Sequence, residues 1–510
     1  MYYRFYHERL QKLTHLIKIR HAPFYNPIKN TISLSDFINT YEKIENFHYT
    51  LTGRIISIRN MGRSCFLLIQ DSFLQIQLYA QKDVLKAKYE LLKLLDLGDI
   101  ITISGTYFLT KSKEKTLKVI DWKISTKSLC PIPEKWHGLV DIEQRYRQRY
   151  LDLIANKDGR YIFQIRSKTI SCIRSFFDKL GYLEVETPIL NDTAGGAIAK
   201  PFTTFHNTLN EHLALRIATE INLKKIIVSG FNKIYEIGKI FRNEGLSSSH
   251  NPEFTSIEFY QTNTSYLELM DLTENLLKYV LSLTHNNNTI KYLTNLIDFS
   301  KPFKRASICQ LIGSHMNLSE QSTNDLESCS DVSVAINLAK QCEIDRITLN
   351  EVISQYPHIY DRIEARNLFS HILYTIFEHK IEKSLIQPTF LLKFPLKVSP
   401  LSKKNNEDFS LADRFEFYCA GMEIANAFSE LNNPIEQKNR FTSQEKNNLS
   451  IQECNTIDKD FLTSLEIGMP PTAGEGIGID RLVMILTNSP SIKDVIFFPK
   501  MKNLNTPNSS

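Results

Sequence analysis

The sequence predicts an α+β protein: a small five-stranded barrel followed by a larger α+β unit. Three observations carry this. The chain has 510 residues, too many for one ordinary domain. Between residues 49 and 126 it breaks into five short strand-like runs with a helical stretch after the third. Residues 241–260, FRNEGLSSSHNPEFTSIEFY, read as an antiparallel hairpin with a long polar tip. An apolar fraction of 42% supports substantial cores. No apolar run reaches the ~18 residues that suggest a membrane span.

Charge separates the two parts. Residues 1–150 hold 24 Lys+Arg against 14 Asp+Glu, and the remainder hold 37 against 42. A basic first third on a mildly acidic body points to contact between that third and a polyanion. The eight cysteines are scattered, with no Cys-x-x-Cys pair. That pattern indicates neither a zinc ribbon nor a disulfide framework, and it fits a reducing cytoplasm.

Residues 1–46 read as a helical extension. HERLQKLTHL is the helix, and SLSDFINTYEKI is a short amphipathic segment. The basic start is interrupted by polar residues and Glu8 and lacks a cleavage site, so it reads as a mature helix rather than a secretory signal. Residues 47–130 contain the runs HYTLTGRIISI, CFLLIQD, LQIQLYA, ITISGTYF and TLKVIDWKI, with KDVLKAKYELLKLL after the third. That order is the order of an OB-fold, a barrel whose second and third strands present aromatic and polar groups to single-stranded nucleic acid.

Residues 131–160 read as a hinge. Pro131 and Pro133 stop regular structure, and an Arg- and Tyr-rich run then turns helical. Residues 161–180 form a helix, with Ile170, Ile173, Phe177 and Leu180 at spacings of three and four and Gly181 as its stop. The strand GYLEVETP follows. NDTAGGAIAKPF is a polar loop in which Gly195 and Gly196 permit close approach of backbone to a ligand. LRIATEINLKKIIVSG reads as a strand ending near Glu220 and then an amphipathic helix. Residues about 300–380 read as a helical insertion with no chemistry assigned. QPTFLLKFPLKVSPLSK and ADRFEFYCAGMEIANAFSELNN return to strands, PPTAGEGIGIDRLVMILT ends in a helix, and residues 503–510 read as a disordered tail.

The hairpin carries unusual cargo. Arg242 and Glu244 alternate out of one face of its first strand, and Phe254, Glu258 and Tyr260 share a face of its second. A salt-bridged surface hairpin is the plain alternative. However, R-N-E-G followed by H-N-P-E-F-T resembles motif 2 of the class II aminoacyl-tRNA synthetases. Downstream, GEGIGIDRL, with Gly474, Gly476, Gly478, Asp480 and Arg481, resembles motif 3. A lone Gly-x-Gly-x-Gly would read as a tight turn. Upstream, GYLEVETPIL resembles motif 1, although a plain core helix and strand would look the same. The details below resemble the lysyl enzymes of subclass IIb, over nearly the whole chain and most weakly at 300–380 and 440–460.

The resemblance implies a class II catalytic domain over residues 161–502, with an antiparallel sheet flanked by helices, in a cytoplasmic homodimer without a membrane segment. Its partners would be ATP, L-lysine and tRNA(Lys). The reaction would join the lysine carboxylate to the α-phosphate of ATP and then pass lysine to the 3′-terminal adenosine of tRNA. Such phosphoryl chemistry needs in-line placement and cations more than covalent help. Arg242 would bridge carboxylate and α-phosphate, and Arg481 would cover the adenine face opposite Phe254. Glu244, His250 and Asn251 complete the ATP contacts. Glu416 and Glu423 match the family's Mg²⁺ carboxylates, with structural ion pairs as the alternative; no zinc is expected. Glu430 and Tyr260 match the lysine side-chain pocket, Glu220 the α-ammonium partner and Gly196 a further contact. Asn426 would assist Arg242, and Phe428 would line the aliphatic stem. A carboxylate at Glu430 argues against an aspartate substrate. In the barrel, Arg59, Phe66 and Gln77 match anticodon contacts: Phe66 stacking on the central uridine, Gln77 on a base edge. Alternatively, Phe66 is barrel core and Gln77 a solvated strand residue.

Several positions depart from the family pattern. Ser249 stands where many bacterial members carry arginine, which would shift load to His250. Ala425 and Ala427 replace glycines, and Thr219 replaces a proline. Two other functions fit the residues less well. A ligase attaching lysine to protein would lack the N-terminal barrel. A catalytically dead tRNA-binding regulator would have lost Arg242, Arg481 or the Glu416/Glu423 pair.

Overall fold

The computed structural model describes residues 2–26, 28, 31–38, 47–72, 74–132, 139, 141–193, 195–197, 199–356, 359, 362–447 and 458–503. Expectations for the end of the N-terminal segment, for Pro133, for the divergent stretch near 450 and for the tail past 503 lie outside the described residues. The chain forms two compact units, Met1–Arg160 and Tyr161–Ser510.

In the first unit, five strands close a barrel: His48–Asn60, Ser64–Asp71, Leu74–Gln81, Ile100–Leu109 and Lys115–Thr126. The third pairs with the fifth, in parallel, and the fifth with the fourth. The period of two turns Cys65, Leu67, Ile69, Ile76, Leu78 and Ala80 inward, and all are buried. A bulge between Ile55 and Ser57 lets the long first strand bend from the fourth strand to the second. The single helical stretch expected after the third strand is instead two short turns, Lys82–Leu85 and Ala87–Glu90, and a 3₁₀ turn. Lys86, at φ 50°, stands in the left-handed region and ends the first turn. The helix Tyr2–Lys18 contributes Leu16 to the barrel core, and Phe37 meets Tyr49 edge-on at 4.8 Å.

The second unit is built on an eight-stranded sheet. In spatial order its strands are Lys304–Ser307, Thr389–Pro395, Leu411–Cys419, Met422–Ser429, Thr472–Gly478, Glu253–Thr262, Lys233–Phe241 and Leu183–Glu184. The expected antiparallel pairing holds for the six central strands, but both edge pairs are parallel, so the sheet is mixed. Long crossovers that include helices connect each edge strand to its neighbour, and crossovers of that length bring strands back in parallel. One sheet face packs Ile257, Phe259, Phe415, Ala425 and Ala427 against Ile173, Phe177, Leu276 and Val483 of flanking helices. The departures Ala425 and Ala427 therefore place their methyls in the core. The first of those helices begins at Lys157, ahead of the expected start. The insertion is largely helical as expected and has its own core around Phe369 and Ile372.

Candidate active site

The opposite face of the sheet lines a cavity of about 920 Å³. Alternation along Glu253–Thr262 sends Ile257 and Phe259 into the core and Phe254, Glu258 and Tyr260 into the cavity wall. Arg242 and Glu244 also line it, but not from a strand. The strand ends at Phe241, and the Asn243 N–H turns away to donate to the Lys200 carbonyl at 2.7 Å. The Gly474–Gly478 run is not a tight turn either. It forms a central strand, with Gly474 opposite Tyr260 and Phe428, and Gly476 opposite Glu258 and Asn426. A Cβ on Gly474 would lie 2.3 Å from Tyr260 Cε1 and 2.5 Å from Glu430 Oε1, so only glycine fits.

Carboxylates cluster in and behind one part of the wall. Glu220 lies in the wall; it is the first residue of the helix Glu220–Val228, not the end of a strand, since the preceding strand stops at Leu215. Gly196, at φ +90°, brings the glycine loop against Ala218 and Glu220, where a Cβ would sit 3.1–3.2 Å from theirs. Glu258 is pushed up to about 7 by burial, partly relieved by the Thr219 N–H, which donates to its Oε1 at 3.3 Å. The proline expected at that position could not make this bond. Glu430 is not itself part of the wall. It is buried behind Gly474 and Tyr260, where its Oε2 pairs with Lys224 Nζ. Lys224 Nζ also donates to Glu220 Oε1 at 2.5 Å and lies 5.5 Å from the Phe428 ring centroid. Burial and the Glu220, Glu258 and Glu430 carboxylates hold the Tyr260 phenol well above its ordinary range, so it stays a donor.

The wall also holds two guanidiniums. The Arg242 guanidinium lies 5.3 Å from the centre of the Phe254 ring, and its Nε donates to the Ile217 carbonyl at 3.4 Å. Arg481, on the helix Ile479–Leu486, donates to the Glu423 carbonyl at 2.6 Å and lies 3.4 Å from Glu423 Oε2. Its Nη2 lies 3.1 Å from His250 Nε2. A guanidinium can only donate, so Nε2 accepts, and Nδ1–H donates to Ser247 Oγ at 2.8 Å. Burial and Arg481 lower the His250 pKa, which agrees with the neutral ring. Asn251 lines the wall and donates to the Glu253 carbonyl at 2.6 Å.

Glu423 lines the cavity, whereas Glu416 is buried beside it, paired with Arg414 and accepting from the Tyr418 hydroxyl at 2.6 Å. Glu423 and burial both raise Glu416, against the pull of Arg414. Among the described residues no three metal-type ligands cluster. A repelling pair of carboxylates beside the cavity is nevertheless the donor set that a hard divalent cation relieves. Arg414 also donates to Asn426 Oδ1 at 3.0 Å, which leaves the Asn426 NH₂ for another acceptor.

On the barrel, Phe66 faces outward, not into the core: it is half-buried and stacks on Tyr79 with ring centroids 4.9 Å apart. Arg59 pairs across from Phe66 at the exposed end of the first strand, and Gln77 Nε2 donates to Thr116 Oγ1 at 3.1 Å. All three lie on one outer face of the second-strand neighbourhood.

Four site residues escaped the sequence reading. Arg414 shares a strand face with Glu416 at a spacing of two, and Lys224 lies one helical turn after Glu220; both spacings were visible signals. Glu258 was on the expected face without a role. Asp480 accepts from the Thr255 N–H at 2.7 Å and pairs with Arg166, which locks the hairpin to the Arg481 helix.

Comparison with known proteins agrees with this geometry. Residues 141–502 match the family of class II tRNA synthetases (D, K and N), and residues 49–125 match the OB-fold nucleic acid binding domain. A lysine–tRNA ligase of Prochlorococcus marinus (strain MIT 9301) is 42% identical over 97% of this chain and 95% of its own length. One from Staphylococcus epidermidis is 42% identical over 97% of both chains. One from Thermoanaerobacter pseudethanolicus is 43% identical over 92% of this chain and 90% of its own. With an OB-fold barrel, a class II sheet and full-length relatives of one kind, the chain belongs to the lysine–tRNA ligase family of class II tRNA synthetases.

Proposed function

We propose that the protein activates L-lysine with ATP, releasing pyrophosphate, and then transfers lysine to the 3′-terminal adenosine of tRNA(Lys). The observation that carries this is the cavity itself, whose wall holds Glu220, Glu258 and Tyr260 close to the Arg242 guanidinium and also holds Arg481. An aspartate side chain would meet Glu220 and Glu258 in the wall, and burying two like charges together is costly. An ammonium there is paired, and the Phe428 ring suits an aliphatic stem.

The residues divide the work. Arg242 holds the lysine carboxylate and the α-phosphate in line, with five donors in a fixed fork. Glu220, assisted by the Gly196 backbone, receives the α-ammonium; Glu430 and the Tyr260 hydroxyl receive the ε-ammonium. Asn426 offers its NH₂ to the carboxylate. Arg481 and Phe254 enclose the adenine, which requires Arg242 to move off the Phe254 ring. Glu244, His250 and Asn251 complete the nucleotide contacts. His250 acts by accepting from Arg481, because its Nε2 has no proton to give a phosphate. Glu423 and Glu416 would hold Mg²⁺, which neutralises charge on the phosphates when bound. For this, Glu416 would exchange Arg414 for the cation.

The barrel, residues 47–130, takes the anticodon through Phe66, Arg59 and Gln77, and residues 161–502 carry the chemistry. A homodimer in the cytoplasm completes the reading. The sheet ends in a two-residue edge strand flanked by the exposed side chains of Leu180, Leu183, Ile189 and Leu190, an apolar edge that a second copy would cover. No described helix is long and apolar enough to cross a membrane. The test is ATP–pyrophosphate exchange by purified protein with each amino acid in turn. Lysine should drive it, and Arg242→Ala should abolish it with the fold intact. Exchange driven equally by aspartate or asparagine would reject the assignment.

A further inference from the structure

Lys224 has no solvent-exposed side-chain surface, and its ammonium touches two carboxylates that the lysine reading assigns to the substrate. From its own helix it meets Glu220. From the segment after the strand Met422–Ser429 it meets Glu430. Glu258 and the Tyr260 phenol, on the strand Glu253–Thr262, close the same cluster: both act electrostatically on Glu430 or are acted on by it. Phe428 and Phe461 cover the ammonium, with ring centroids 5.5 and 5.9 Å away. Two carboxylates touch it, Glu258 and the Tyr260 phenol stand beyond them, and Arg242 acts on Glu258.

Two physical arguments give this arrangement a purpose. A buried ion pair adds little stability over well-packed apolar side chains of the same volume, so a methionine among these phenylalanines would serve packing as well. A buried carboxylate without a cation takes up a proton, and a protonated carboxyl no longer attracts an ammonium with a full charge. Glu430 is raised by burial and pulled back chiefly by Lys224. Counted as ions, Glu220 and Glu430 against Lys224 leave one negative charge, and Glu258, pushed up to about 7 by burial and facing Arg242 as well, adds to it as the pH rises past that value. Lysine brings two ammonium groups, and Arg242 takes its carboxylate.

We propose that Lys224 is a positioning and specificity-determining residue: its ammonium holds Glu220 and Glu430 as oriented carboxylates and leaves the pocket with a net negative charge, which a dibasic amino acid matches and a neutral one does not. The inference rests on the lysine reading above. Lys224 touches no reacting atom, and it acts through its two partners. A neutral side chain of the same length, such as norleucine, leaves a buried carboxylate unmatched and is rejected for that reason.

The test is Lys224→Met in the full-length protein, by ATP–pyrophosphate exchange at several lysine and ATP concentrations from pH 7 to pH 9. The lysine KM should rise by about tenfold or more at pH 7, with the ATP KM and the kcat at saturating lysine within about threefold of the parent. The lysine defect should narrow towards pH 9, because the orphaned carboxyls then ionise unaided. A purely structural bolt would not produce that split or that pH dependence. An unchanged lysine KM, a defect equal at every pH, or equal damage to lysine and ATP would overturn the proposal. Should Lys224→Met fail to melt cooperatively, the parent protein decides by calorimetry of lysine binding in buffers of different ionisation enthalpy. If Lys224 keeps the carboxylates ionised, lysine binding at pH 8 releases less than about half a proton; release of about one or more overturns it. A parent that shows no lysine-dependent exchange rejects the assigned function. A parent that activates lysine beside a Lys224→Met protein of equal lysine KM rejects this inference alone.

Discussion

Replacing Gly474 by alanine tests the pocket most directly. The added Cβ would stand 2.3 Å from Tyr260 Cε1, 2.6 Å from Tyr260 Cδ1 and 2.5 Å from Glu430 Oε1. Carbon atoms in contact sit ~3.5–4.0 Å apart, so the ring would have to retreat by more than ~1 Å. Glu430, 2% exposed and behind the wall, has little room, and the Tyr260 ring, 3% exposed, can retreat only into the cavity where the lysine side chain is assigned. Overpacking of this kind costs about 1–3 kcal/mol. The displaced groups are those assigned to the lysine ε-ammonium, so the cost should fall on lysine binding, a loss of roughly 5- to 150-fold. Gly476, on the same strand face, is the control. A Cβ there meets nothing closer than Glu258 Cγ at 3.5 Å, an ordinary contact, so Gly476→Ala should change stability by less than about 0.5 kcal/mol. Lysine-dependent exchange gives the KM for lysine, and thermal melting gives stability. A Gly474→Ala protein whose lysine KM stays within twofold of the parent, or a Gly476→Ala protein destabilised as much as Gly474→Ala, would refute the reasoning.

Three further outcomes are expected. Burial raises the folded-state pKa of Glu258 to about 7 from an ordinary 4.5, so the folded protein binds the extra proton between those values. The parent should therefore lose stability relative to Glu258→Gln as pH rises from about 4.5 to about 7 and level off above; parallel stability curves, read by denaturant unfolding, would contradict this. Thr219→Pro removes the N–H donated to Glu258 at 3.3 Å, so the same window should extend to higher pH; an unmoved window would mean the bond contributes nothing. Phe66→Ala takes a ring from the outer face of the barrel and leaves its core intact, so pyrophosphate exchange should persist while tRNA charging falls; equal loss of both would sink the division of labour.

Much of the fold was legible because its patterns are local. The five barrel runs were readable as short strand-like segments in the order of an OB-fold, and the structure buries every second side chain of the second run, as at Cys65, Leu67 and Ile69. The two-residue turn at Ala420 and Gly421, with φ 57° and 71°, likewise sits between two recognisable strands. The misreadings arose where distant contacts overrode a local pattern. YEIGKIFRNE looks like one strand, but the Asn243 N–H finds Lys200 and ends it at Phe241. The GEGIG glycines, by contrast, were read through their resemblance to motif 3, and what the pairing with Tyr260 and Phe428 adds is that they form a central strand.

The α+β order, the barrel, the motifs and the residue types that the chemistry needs can be read from the chain alone, because each is written in local spacings. Packing reveals the rest: Glu430 lies behind the wall, Arg414 holds Glu416, and Lys224 bridges two carboxylates from separate elements. Which charges neutralise one another in a buried cluster depends on the strands and helices brought together there, and charges far apart along a chain leave no periodic trace of that meeting.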